Sequence, residues 1–399
     1  MIYRVAATLL LLLLAGCATT GSGTPDPAES AMDRSVAAEP RIAETIDEHL
    51  YVPKLQPLPD SEANGHVHEN AWERLTHRFV LPECSDQEAN LDWAEWYAAR
   101  PDYMGRIFKR AQPWIHYIAD ELERRDMPGE LALLPIVESA YDPFAYSSGR
   151  ALGPWQFISA TGKRYGLKQN WWYDGRRDVW ASTDAALRYL NDLGVLFDGD
   201  WLLALAGYNS GENRVLRQMK KNRAAGKPVD FWSLKLPAET RGNVPKLLAL
   251  SRIMTDPAAY SLELPEIPDV PYFDIVPLDG QVDLALLADL SGVGMDEIYA
   301  LNPGYNRWAT DPDGPHRALV PSDHAGRLSA GLAATPSDAR VKWVRYRIRS
   351  GDSLIVIADR HDTTPEVVRK VNGLRGNTIR AGDHLMIPTA SKDLALYTQ

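Results

Sequence analysis

Hydrophobic and polar positions divide the chain into four stretches. Val5 to Ala18 form one apolar run of 14 residues, interrupted only by Thr8 and Gly16 and preceded by Arg4. Residues 19–65 are rich in Thr, Gly, Ser, Pro, Ala and acidic side chains, with little apolar period, which predicts a flexible tether. From Glu69 to about Thr255 the pattern is helical. Stretches such as Arg106–Arg125 and Thr183–Phe197 carry apolar residues at i, i+3, i+4, punctuated by Pro101, Gly129, Pro154, Gly199 and Pro228. No segment in this half alternates as a strand would. After Pro265 the chain changes to short, Pro-bounded apolar runs.

That last stretch contains an internal repeat. Leu284, Leu287, Ala288, Asp289, Leu301 and Asn302 match Leu354, Ile357, Ala358, Asp359, Val371 and Asn372 at a constant offset of 70. Each copy closes on an apolar stretch before Pro, Leu319-Val320-Pro321 and Met386-Ile387-Pro388. Two copies of one small module are more informative than either alone. The expected organisation is a leader over 1–16, a tether over 17–65 and an N-terminal helical region over 66–125. A main helical domain follows over 126–260, then a first module over 266–325, a linker over 326–341 and a second module over 342–390.

Composition sets limits on this picture. With 399 residues, 45% hydrophobic and 24% charged, the chain can bury cores over most of its length. A net charge of −10 lacks the basic field that phosphate backbones need, so no nucleic-acid partner is expected. The charge is unevenly placed: residues 262–325 hold 12 Asp/Glu against 2 Arg, while residues 340–388 hold 10 Lys/Arg against 5 Asp/Glu. The second module is therefore basic, which suits an anionic polymer, and the first is acidic. Trp 12 and Tyr 17 against Phe 7 favours rings with a polar handle, which suit sugar faces as well as cores.

The N-terminal apolar run is short for a membrane span, which needs about 20 residues, and reads as a secretory signal. It ends Leu14-Ala15-Gly16-Cys17, which resembles the lipobox of bacterial lipoproteins. That resemblance implies cleavage before Cys17 and acylation of its thiol; each buried CH₂ of an acyl chain contributes about 0.8 kcal/mol to anchoring. Ala18, rather than Asp, implies sorting to the outer membrane, facing the periplasm. Cys84 is then left without an intramolecular partner, as a buried or idle thiol. His66-x-His68-Glu69 is a weak metal pattern in a tether, so no metal and no cofactor are expected.

The strongest local signal is Leu131-Ala-Leu-Leu-Pro-Ile-Val-Glu138-Ser139. The +3 and +4 spacing predicts Leu131, Leu134 and Glu138 on one helix face, ended by Asp142-Pro143. A carboxyl on an apolar face is desolvated, which raises its pKa and suits a general acid near neutral pH. Taken alone, the segment also reads as a solvated Glu near a helix C-terminus. The neighbours decide between the two. Gly153-Pro154-Trp155-Gln156-Phe157 follows, then Ala206-Gly207-Tyr208-Asn209-Ser210-Gly211 closing a helix that starts near Asp200, then Glu239-Thr240-Arg241 before Val244.

In this order, Glu-Ser, Gly-x-Trp-Gln-Phe, x-Tyr-Asn-x-Gly and Glu-Thr-x-x-x-Val resemble the motifs of the family 1 lytic transglycosylases, enzymes with a goose-lysozyme-like catalytic domain. The text around Glu130–Phe144, Gln169–Arg177 and Asp200-Trp-Leu-Leu is close to the D branch of the membrane-bound lytic murein transglycosylases. The resemblance runs through residues 66–255. It implies a lysozyme-like α-helical domain in which Glu138 protonates the glycosidic oxygen between MurNAc and GlcNAc. The carboxylate then deprotonates the sugar's own C6 hydroxyl, which closes on C1 as 1,6-anhydroMurNAc. Hydrolysis by retention or inversion needs two carboxylates. An internal nucleophile removes that need, because effective molarities of ~10⁵–10⁸ M compete with water. The resemblance also implies that Ser139, Gln156, Tyr208 and Asn209 hold the substrate or stabilise its cationic centre.

Two positions depart from the family. Gly207 stands where Ala is usual. Asn243 stands where a Tyr is expected to hydrogen-bond the acid; Asn can donate from its amide but is shorter and is not a phenol. The pKa of Glu138 is the property this second departure touches. Asp142 is expected to start a turn, and Asp174 and Asp178 to position Trp171-Trp172-Tyr173 and cap the next helix.

The second repeat, Tyr346-Arg-Ile-Arg-Ser-Gly351-Asp352-Ser353-Leu354 through Ile387-Pro388, resembles a lysin-motif (LysM) module, a βααβ unit that binds N-acetyl sugars of peptidoglycan. The resemblance implies a groove using Gly351, Asp352, Ser353, Leu354 and Ile387. The first repeat has Gln281-Val-Asp283-Leu284 at the corresponding turn and is expected to be a degenerate, packing copy. The expected protein is thus a mainly α lipoprotein of the outer membrane that cleaves peptidoglycan strands and holds them with its LysM module. Its competitors are a hydrolytic muramidase and a non-catalytic wall-binding scaffold. Protein partners are left open.

Overall fold

The structure is a computed structural model, and it describes residues 70–82, 88–341, 343–361 and 363–388. The leader, the tether, Cys17, the His66–Glu69 segment and Cys84 lie outside the described residues.

The helical half contains α1 (Ala71–Thr76), α2 (Glu88–Ala98), α3 (Pro101–Ala111) and α4 (Ile115–Arg124). A 3₁₀ turn, Gly129–Leu133, leads into α5 (Leu134–Ser139), followed by α6 (Ser159–Arg164), α7 (Val179–Leu196), α8 (Trp201–Ser210), α9 (Glu212–Ala224) and α10 (Ala238–Thr255). Among the described residues of this half, β pairing is limited to isolated bridges. The stretch 106–125 does not run as one helix; it breaks at Pro113 into α3 and α4, because proline cannot donate within a helix interior. One cluster of buried side chains extends from Ala71 and Trp72 through Trp155 to Met254. α8 is apolar on nearly every side, and Leu202 to Gly207 are all buried, as a central helix should be. Its ends are set by Asp200, whose carboxylate accepts from Leu203 N at 3.0 Å, and by Gly211 at φ 86°. The space left by Gly207 is filled from the end of α7 and the residue after it: an added Cβ would meet Phe197 at 3.0 Å and Leu193 at 3.1 Å.

The C-terminal half is two βααβ units. In the first, β1 (Phe273–Pro277) pairs antiparallel with β2 (Arg317–Pro321), enclosing α11 (Leu284–Ser291) and α12 (Met295–Leu301). In the second, β3 (Trp343–Arg347) pairs antiparallel with β4 (His384–Pro388), enclosing α14 (Leu354–Arg360) and α15 (Pro365–Val371). The repeat is visible in hydrogen bonds. Asn302 donates to Leu319 O and accepts from Leu319 N; Asn372 does the same with Met386. Residues 326–334 differ from the expected linker. They belong to α13 (Ser322–Ala334), whose Leu328 and Leu332, one turn apart, are buried against the first unit. The Ala/Ser/Gly-rich composition hid a helix whose apolar stripe is only those two leucines.

The first unit is docked on the helical half through residues 168–178. Trp172 and Tyr173 join its core beside Trp308 and Tyr305. Asp174 N donates to Gly304 O at 2.9 Å, Asn306 N to Trp172 O at 2.8 Å, and Lys168 pairs with the fully buried Asp311. Asp178 accepts from Ala181 N at the start of α7, from Tyr173 Oη at 2.7 Å and from Arg317 at 2.6 Å. The first repeat is therefore packed firmly against the domain that precedes it.

Candidate active site

Glu138 is the penultimate residue of a short helix with a fixed start and stop. Pro135 sits in its first turn, where a missing N–H is harmless. The preceding turn is 3₁₀ rather than α, so Leu134 shares a face of the helix with Glu138 while Leu131, also buried, lies outside it. The helix stops at Ser139, earlier than Asp142-Pro143 predicts, because Ala140 and Tyr141 adopt left-handed φ of 54° and 56°. Asp142 instead starts the next turn, accepting from Phe144 N at 2.9 Å.

Glu138 is half-buried, and its carboxyl is desolvated. Burial pushes its pKa from an ordinary 4.5 up to about 7. A hydrogen bond from Asn243 opposes the rise, the negative charge of Glu239 adds to it, and Lys246 opposes it. Asn243 Nδ2 lies 3.0 Å from Glu138 Oε1, so the shorter side chain at this position still reaches the acid. Asn243 is 7% exposed and its Oδ1 is buried without a hydrogen-bond partner. Glu239, Asn243 and Lys246 are spaced +4 and +3 along α10, so one face of that helix carries all three groups that act on the acid. Lys246 Nζ also lies 4.5 Å from the ring centre of Trp93.

The other residues expected at the site converge on the same place, in different capacities. Ser139 is 6% exposed, and its hydroxyl faces Pro154 O at 2.9 Å and Pro135 O at 3.2 Å, tying the helix end to the Gly-Pro-Trp-Gln turn. Gln156, at φ 49°, donates from Nε2 to Ala145 O at 3.1 Å and to Gly153 O at 2.8 Å, which leaves Oε1 as its acceptor. Tyr208 Oη donates to Trp155 O at 2.7 Å; burial first, then the nearby Glu138, holds its phenol well above the usual range. Asn209 Oδ1 accepts from Thr240 Oγ1 at 2.7 Å, which turns its amide N–H groups toward other partners. Trp155 is fully buried, with Nε1 donating to Thr183 Oγ1 at 2.9 Å. The motifs are thus tied by hydrogen bonds to the elements around Glu138, and Asn243 bonds the carboxyl directly. Sequence reasoning named Asn243 only as a departure and Thr240 only as part of a motif, and it gave Lys246 no role, although its +7 spacing from Glu239 on a helix was the available signal.

In the second βααβ unit, Gly351 has φ 88° and Asp352 organises the turn. Its carboxylate accepts from Tyr346 Oη and Arg349 N, both at 2.7 Å, and from Arg360 at 3.2 Å. These donors, the Arg349 N–H foremost, hold it below the usual carboxylate range. Ser353 caps α14. Leu354 and Ile387, expected at a groove, have their side chains buried together in the unit's core. Among the described residues, no group of three or more His, Cys, Asp or Glu is arranged to hold a metal ion, and no helix is long and apolar enough to cross a membrane.

Comparison with known proteins gives the following. The family model for the transglycosylase SLT domain matches residues 116–231. The model described as lytic transglycosylase MltD, LysM-like domain, matches 272–337, and the LysM domain model matches 346–388. Membrane-bound lytic murein transglycosylase D of Escherichia coli (strain K12) is 36% identical over 401 residues, covering 97% of this chain and 85% of that protein. The protein of the same name from Escherichia coli O6:H1 gives the same values. A protein named for tributyltin chloride resistance in Alteromonas sp. (strain M-1) is 38% identical over 175 residues, covering 44% of this chain and 83% of that protein.

Proposed function

The chain belongs to the family of membrane-bound lytic murein transglycosylase D, and on that premise we propose that it cleaves the MurNAc-β-1,4-GlcNAc bond of peptidoglycan with Glu138 as its acid and base. The observation that carries the assignment is the Glu138 carboxyl itself, pushed up to about 7 by burial and bonded to Asn243. At neutral pH such a group is divided between its two forms, so it can give a proton and later take one.

In the first step Glu138 donates its proton to the glycosidic oxygen, the C1–O bond breaks, and GlcNAc leaves with a free hydroxyl. The sugar C1 becomes cationic. Tyr208 and Asn209, held by Trp155 O and Thr240, present polar groups to the N-acetyl sugar, and Ser139 and Gln156 fix the turn that faces it. In the second step the Glu138 carboxylate takes the proton of the C6 hydroxyl, and O6 bonds to C1. The acid is regenerated, no water is consumed, and 1,6-anhydroMurNAc is the product.

The second βααβ unit holds the glycan strand through the turn organised by Asp352, and its basic charge favours an anionic wall. Cys17 anchors the mature protein to the outer membrane, on its periplasmic side, supported by the Leu14-Ala15-Gly16-Cys17 ending of the leader. Purified protein incubated with isolated sacculi tests the activity: wild type should release soluble muropeptides and Glu138→Gln should not. Turnover that survives Glu138→Gln refutes the assignment of the acid. The anchor is tested separately, since Cys17→Ala should move the protein from the membrane fraction to the soluble one.

A further inference from the structure

The loop between Glu138 and the Gly153–Phe157 turn exposes two aromatic rings that no catalytic step uses. Phe144 is 53% exposed and Tyr146 is 62% exposed. Isolated exposed apolar side chains are ordinary. These two flank a single residue, Ala145, on a backbone held at almost every position. Phe144 N donates to Asp142 Oδ1, Ala145 N to Asp142 O, and Ser147 N to Ala151 O, while Tyr146 forms a bridge with Leu152. The carbonyl of Ala145 accepts both Gly153 N and Gln156 Nε2, each at 3.1 Å. That turn is in turn bonded to Ser139, the neighbour of the acid, through Pro154 O. From the other side, the Arg177 guanidinium lies 5.4 Å from the ring centre of Phe144 and is itself hydrogen-bonded to Asn306 of the first βααβ unit. The loop thus holds two rings in water on a backbone tied, through the Gly153–Phe157 turn, to the residue next to the acid.

We propose that Phe144 and Tyr146 form a sugar-stacking subsite for a pyranose ring of the glycan strand, adjacent to the bond that Glu138 cleaves. The inference rests on the activity proposed above and adds a binding site to it. A β-1,4-linked pyranose carries its polar substituents around the rim and presents axial C–H groups on its faces. Those C–H groups are weakly electropositive, and the face of an aromatic ring is negative. Gln156 then holds the platform in place through Ala145, and the first βααβ unit braces it through Arg177.

Steady-state kinetics of the purified protein on peptide-free glycan strands test this, with anhydro-sugar ends as the readout. The Phe144→Ala, Tyr146→Ala double variant should raise KM about tenfold while kcat stays within about twofold. Phe144→Trp with Tyr146→Phe should restore the wild-type KM, and thermal melting should be the same in all three. An unchanged KM in the double alanine variant, with wild type turning over, overturns the platform alone. A fall in kcat at constant KM also overturns it, since the rings would then only shape the loop. A wild-type protein that produces no anhydro ends removes the activity and this subsite together.

Discussion

The amide of Asn243 lies 3.0 Å from the carboxylate of Glu138, across 105 residues of sequence and between two different helices. Glu138 enters from α5, whose length is limited by Pro135 and the left-handed Ala140, and Asn243 comes from α10. The pair sets the proton affinity of the one carboxyl at the centre of the site. Burial raises it and the amide N–H moderates the rise, because that bond favours the charged form.

The first consequence concerns pH. In the proposed reaction Glu138 must be protonated at the start, so kcat/KM should fall as pH rises through about 7. Asn243→Ala removes a donor to the carboxylate and raises the pKa further. The alkaline limb of the pH profile should therefore move to higher pH, by about one unit. A limb that stays in place or moves to lower pH would show that Asn243 does not act on the acid.

Glu138 is also a stability liability with a predictable pH dependence. Below about 4.5 both folded and unfolded chains hold the proton, and the carboxyl has no effect on folding. Between 4.5 and 7 the unfolded chain releases the proton while the folded one keeps it, so stability is lost as pH rises. Above 7 the full penalty is present. Glu138→Gln should accordingly melt a few degrees higher than wild type at pH 8, with the gain vanishing at pH 4, as read by calorimetry. An equal gain at both pH values would separate the effect from ionisation.

Asp178 joins the two halves of the molecule. It caps α7, accepts from Tyr173 and pairs with Arg317, whose guanidinium also lies 4.4 Å from the ring centre of Trp180. Asp178→Ala removes a helix cap and leaves a buried guanidinium unpaired, which should cost about 3 kcal/mol in denaturant unfolding. A loss confined to the about 1 kcal/mol of a cap would mean that the interface contributes little.

In the second βααβ unit, Asp352 is the joint between Tyr346, Arg349 and Arg360. Asp352→Ala should release the Gly351 turn and weaken retention on sacculi about tenfold, measured by co-sedimentation with the Glu138→Gln protein so that the wall is not degraded. Unchanged retention would place the glycan contact elsewhere.

Much of this was legible in the chain. The helical half followed from apolar spacing, α8 and its caps from Asp200 and Gly211, and the two units from an offset of 70 that the structure renders as matching bonds of Asn302 and Asn372. The site residues followed from a family resemblance rather than from spacing. What stayed hidden depends on long-range contact. No local pattern shows that Leu131 lies in a 3₁₀ turn, that Leu328 and Leu332 make a packed helix, or that Trp172 and Tyr173 belong to the core of a unit a hundred residues downstream. For the same reason the side chains of Leu354 and Ile387, expected at a groove, are found in a core: an apolar residue beside a binding turn reads alike in either place.

In the proposed reaction one carboxyl, Glu138, breaks the glycan without water, and the identity of the product tests this most directly. Mass spectrometry of the muropeptides released from purified sacculi should show chains ending in 1,6-anhydroMurNAc. Chains ending in reducing MurNAc, one water heavier, would contradict the account and make the protein a hydrolase.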